Sequence, residues 1–107
     1  MEIDIGQLEF ISRTQRDLLM WAETKTGYKF TITSLYRIDD KGIHGTLPLR
    51  ATDLRMRSKE VGQAIEKMIN DSWTYDQSRP ELKCALLHGS GTNLHLHIQT
   101  HPNTVKR

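Results

Sequence analysis

His95 and His97 stand one residue apart in a run, Asn93 to His101, where apolar and polar side chains alternate. Leu94, Leu96 and Ile98 share one parity; His95, His97 and Gln99 share the other. Successive side chains of a β-strand point to opposite faces, so this pattern predicts a strand with an apolar face and an imidazole face. Imidazole ligates metals and carries protons near neutral pH. One ring as metal ligand beside another as general base is the chemistry such a pair can do. The plainer reading is two surface histidines on a solvated sheet face. The residues alone leave open which of the two would be the ligand.

A metal site needs further donors. His44, in a glycine-bearing segment, and Asp53, in the stretch that follows, are the candidates. A His/Asp/His set suits zinc, which accepts imidazole nitrogen and carboxylate oxygen and leaves a fourth position for water. Each has a structural alternative: His44 as an exposed loop residue, Asp53 as an ion-pair partner for the flanking Arg50 or Arg55. Arg37 could bind a substrate carboxylate or a developing oxyanion, or pair with Asp39. His88 and His101 are weaker candidates, and His101, just before Pro102, is expected to be exposed. Cys84 lies in an apolar run and reads as a buried small residue, with Trp73 and Tyr75 as packing residues.

The elements that must position these groups follow from periodicity. Leu18, Leu19 and Ala22 recur at helical spacing, with Ser12 and Gln15 as a capping pair and Gly27 as a stop, so the sequence predicts a helix over 13–25. Tyr28 to Thr33 reads as a strand, and 38–49 as a long polar loop. Arg50 to Arg55 is a second strand. Ser58 caps a second helix whose stripe is Val61, Ala64, Ile65, Met68 and Ile69. Leu82 to His88, apolar at nearly every position, is expected to be a central strand. Gly89 to Thr92 is hairpin-turn chemistry that leads into the histidine strand, and the residues from Pro102 onward read as a polar tail. The order predicts an α+β domain: a small antiparallel sheet with helices packed on one face.

Length and composition suit one domain spanning 1–107, with 36% hydrophobic and 26% charged residues. A formal charge of +2 with scattered basic residues gives no reason to expect a nucleic-acid partner. The single cysteine excludes an intrachain disulfide. No run is long and apolar enough for a membrane span, and MEIDIGQLEF lacks the layout of a signal peptide, so the expected location is cytoplasmic as synthesised. Oligomeric state is not legible.

Three segments resemble a known family. Thr33-Ser34-Leu35-Tyr36-Arg37 is similar to the Thr-Ser-x-x-Arg segment of the zinc D-alanyl-D-alanine carboxypeptidases and phage endolysin peptidases, which share the hedgehog fold. His44 with Ala51-Thr52-Asp53 resembles their His…Gly-x-Ala-x-Asp segment, and His95-Leu96-His97 their closing His-x-His. The resemblance runs from about residue 8 to 101. It implies Zn2+ on His44, Asp53 and His97, His95 as general base, and Ser34 and Arg37 on the substrate. The implied reaction is hydrolysis of peptide bonds in bacterial cell-wall peptidoglycan, by a D,D-carboxypeptidase or endopeptidase of phage type acting after lysis or export. His44 and Asp53 are nine positions apart, two more than the family pattern, and Arg50 stands where the family has glycine.

Two other readings remain. His95-Leu96-His97-Ile98-Gln99 also resembles the His-x-His-x-Gln variant of the histidine-triad nucleotide hydrolases and transferases, in which His97 would attack a phosphate. The third is a non-catalytic phage or interaction module, consistent with the longer His44–Asp53 spacing.

Overall fold

The computed structural model of the chain describes residues 12–36 and 50–107. The lead-in, the loop over 38–49, Arg37 and His44 lie outside the described residues.

The first helix, α1 (Arg13–Thr26), starts where its cap predicts: Ser12 Oγ accepts from the Gln15 N–H at 3.0 Å. It ends at Gly27, whose φ of 70° lets its N–H turn back to the Glu23 carbonyl. Strand β1 (Ile32–Tyr36) follows, then β2 (Ala51–Arg55) and the second helix, α2 (Lys59–Ser72). Ser58 Oγ caps α2 by accepting from the Val61 N–H, and Glu60 lies in its first turn, where the helix dipole favours an acid. The chain continues through β3 (Trp73–Thr74), β4 (Ala85–His88), a 3-10 turn (Gly91–Asn93), β5 (His95–Gln99) and β6 (Val105–Lys106).

The fold is α+β. An antiparallel sheet in the order β1-β2-β5-β4 carries the histidine strand at its centre. Leu54, Leu96 and Ile98 enter one core with Leu18, Leu19 and Ala22 of α1 and Ile65 and Ile69 of α2. Both helices therefore lie against the apolar face, and His95, His97 and Gln99 take the opposite parity. Among the described residues no helix is long and apolar enough to cross a membrane.

Four local readings are corrected. The first strand begins at Ile32 rather than Tyr28; Phe30 is buried with its N–H on Glu23 Oε2. The apolar run 82–88 yields a short strand at the sheet edge, not its centre. Its outer side is covered by α2: Asn70 bonds both the N–H and the carbonyl of Ala85, and Glu66 accepts from the Leu87 N–H. A helix over a strand edge buries apolar residues as a second strand would. The tail after Pro102 is folded, because β6 pairs with β3 and the buried Thr104 hydroxyl donates to the Tyr75 carbonyl. The capping pair is half right: the Gln15 side chain does not return to the cap but enters the core.

Candidate functional site

Asp53 and His97 are register partners on β2 and β5. Residues directly opposite each other on antiparallel strands project to the same face, so their side chains meet. His97 Nδ1 lies 3.0 Å from Asp53 Oδ1. Both are largely sheltered, with side-chain exposures of 15% and 21%. Ser34 of β1 is the register partner of Asp53 on its other side.

His97 Nε2 lies 3.1 Å from Gln99 Oε1, and Gln99 Nε2 donates to the Lys83 carbonyl at 2.9 Å. A carbonyl only accepts, so the amide nitrogen must face Lys83 and the amide oxygen must face His97. His97 therefore carries its proton on Nε2. At 3.0 Å from the carboxylate, Nδ1 either donates a second proton to it or shares a metal ion with it. The donor chemistry and the convergence fit two ligands of a zinc site.

His95 sits one pleat away on the same strand parity. Its Nδ1 lies 2.8 Å from the Asn93 carbonyl, so Nδ1 carries the proton and Nε2 keeps the lone pair of a neutral ring. That is the nitrogen a general base or a ligand uses.

The structure thus brings together Asp53, His97 and His95, and puts Ser34 in the same row by backbone register. Arg37 and His44 lie outside the described residues. Among the described residues no group of three His, Cys, Asp or Glu is placed to hold a metal ion. His101 is half-buried rather than exposed: its ring packs on Tyr75 with centroids 5.7 Å apart, and its Nδ1 accepts from the Asn103 N–H. Cys84 is fully buried, and burial pushes its thiol up to about 12, so it is no nucleophile.

Three features were not legible beforehand. Gln99 sets the His97 tautomer. Gln15 is fully buried beneath the site, donating to Thr52 Oγ1 and the Ile98 carbonyl and accepting from the Thr100 hydroxyl. Thr52 and Ile98 adjoin Asp53 and His97, so this network ties α1 to both site strands. Third, a cleft of about 220 Å³ is lined by Tyr28, Lys29, Thr31, Arg55 and Arg57. Its three cations have no carboxylate partner among the described residues. Arg55 is the register partner of His95, so the cleft adjoins the candidate base.

Comparisons of the chain with protein-family models, with curated proteins and with solved structures find no match.

Proposed function

We propose that this chain is a zinc-dependent peptidase domain that hydrolyses peptide bonds of bacterial cell-wall peptidoglycan. The observation that carries the reading is the meeting of His97 Nδ1 and Asp53 Oδ1 at 3.0 Å, with His95 Nε2 unpartnered among the described residues one pleat away. A sheltered Asp/His pair offers two of the three protein ligands of a catalytic zinc site, and the second imidazole beside it offers a base.

The roles follow from the atoms. Asp53 Oδ1 and His97 Nδ1 would hold the metal, and the resemblance adds His44 as the third ligand. Zinc bound there would supply Lewis-acid polarisation of the scissile carbonyl and a water of lowered pKa. His95 Nε2 would act as the general base toward an attacking water and would return the proton to the leaving amine. Gln99 keeps the His97 ring in the ligand tautomer. The cationic cleft of Lys29, Arg55 and Arg57 suits the free carboxylates of a wall peptide. The resemblance places Ser34 and Arg37 on the same substrate.

Nucleotidyl transfer draws less from this geometry. Both His97 nitrogens face oxygens of neighbouring side chains, so neither is turned outward toward a phosphate.

The test is metal content of the purified chain without a chelating tag, followed by hydrolysis of wall peptides. Near-stoichiometric zinc is expected, lost in His97→Ala. His95→Ala should keep the metal and lose roughly a hundredfold or more of turnover. No zinc uptake even after incubation with it would overturn the reading and leave a non-catalytic module.

A further inference from the structure

The open sheet face carries a third histidine that the proposed reaction does not use. His88 on β4 is the register partner of His95 on β5. Their ring centroids are 5.6 Å apart and their planes differ by 31°. The His97 ring lies 6.3 Å from His88, but both of its nitrogens are engaged, by Asp53 and Gln99. His88 is exposed and its ring makes no hydrogen bond among the described residues. His95 is bound at Nδ1 alone, by the Asn93 carbonyl. Two imidazoles on one tetrahedral metal, with metal–nitrogen bonds of about 2.0–2.1 Å, would hold their ring centres roughly 5–6 Å apart. The cross-strand pair already stands at that separation.

The connection between the strands keeps it there. Gly89, beside His88, has φ of 81°, and a Cβ on it would lie 2.3 Å from the Asn93 carbonyl oxygen. The same carbonyl orients the His95 ring. One tight turn thus sets both histidines.

We propose that His88 and His95 form a second divalent transition-metal site at the exposed end of this face, taking Zn2+ with water in its remaining positions. No third His, Cys, Asp or Glu joins them among the described residues, and Arg55 flanks His95 on the other side. Two protein ligands beside a fixed cation make a weaker site than the Asp53–His97 centre. Occupation ties up His95 Nε2, so zinc in excess inhibits hydrolysis. That consequence rests on the peptidase reading; the site itself does not.

The experiment is calorimetric titration of the metal-stripped whole chain with Zn2+, in the wild type, in His88→Ala and in Asp53→Ala. Wild type should show a tight and a weak class of site. His88→Ala should lose the weak class and keep the tight one, and Asp53→Ala should do the reverse. Cu2+, which imidazole sites bind more strongly, gives an independent readout. Its electron paramagnetic resonance spectrum in Asp53→Ala should show two equivalent nitrogens, and one in the double variant with His88→Ala. An unchanged weak class, or an unchanged copper spectrum, on removing His88 would overturn the site. A weak class that depends on His88 without any tight class would sink the peptidase reading and leave this one standing. Excess Zn2+ should inhibit hydrolysis by wild type and spare His88→Ala. Equal inhibition of both would overturn the regulatory half.

Discussion

The side-chain amide of Gln99 donates to the carbonyl of Lys83 at 2.9 Å, and that bond decides which end of the amide meets His97. The partner of a ligand's second nitrogen sets its tautomer and its aim. Gln99→Leu should weaken zinc binding about 10–100-fold while the fold is kept. Competition with a chelator of known affinity measures it. An unchanged affinity would mean that Asp53 and the backbone orient His97 unaided.

Gln15 is the support on the other side of the sheet. Replacing it with Leu leaves the Thr52 and Thr100 hydroxyls and the Ile98 carbonyl without that partner in the buried core. The expected cost is at least roughly 3 kcal/mol, since three buried polar groups lose a partner and each stranded group costs about 1–3 kcal/mol. Urea unfolding of Gln15→Leu against wild type reads this directly, and coincident curves would refute it.

Asp76 gives the fold an acid dependence. The hydroxyl and then the backbone N–H of Ser78 bond its carboxylate, with Arg79 beside it, and hold it at about 2 against an ordinary 3.8. A carboxyl whose pKa is lowered by folding stabilises the native state fully above its unfolded value. That contribution is lost as pH falls through the folded value, so the window runs from about pH 4 down to about 2. Asp76→Asn should flatten the stability–pH curve in this window. Thermal melts at stepped pH would show it, and parallel curves for the two proteins would exclude the effect.

Cys84 should be silent in the folded protein. Burial pushes its thiol up to about 12, and only the thiolate reacts. Iodoacetamide at neutral pH should leave the native chain unlabelled and alkylate it once in denaturant. Labelling of the native chain at the rate of a free thiol would show that the strand edge at Cys84 opens readily.

By itself the sequence determined the histidine strand, the two helices with their serine caps, and the α+β class. Each is a local rule: period-two alternation over 94–99, period 3.6 with a capping hydroxyl, and a left-handed glycine stop. It also carried the candidacy of Asp53 and His97, through residue type and motif order.

Only the tertiary structure decided that these two meet. Their contact depends on the register of β2 against β5, across 44 residues of chain, and no local pattern encodes a register at that distance. The edge position of β4 was equally hidden, because a helix side chain bonding a strand's outer edge leaves the same apolar signature as a neighbouring strand. Gln15 looked like a cap residue and is a core residue, since a polar side chain can be buried when distant partners complete its hydrogen bonds. The pairing of His88 with His95 likewise came from the hairpin, whose 3-10 turn sets which residues of β4 and β5 face each other.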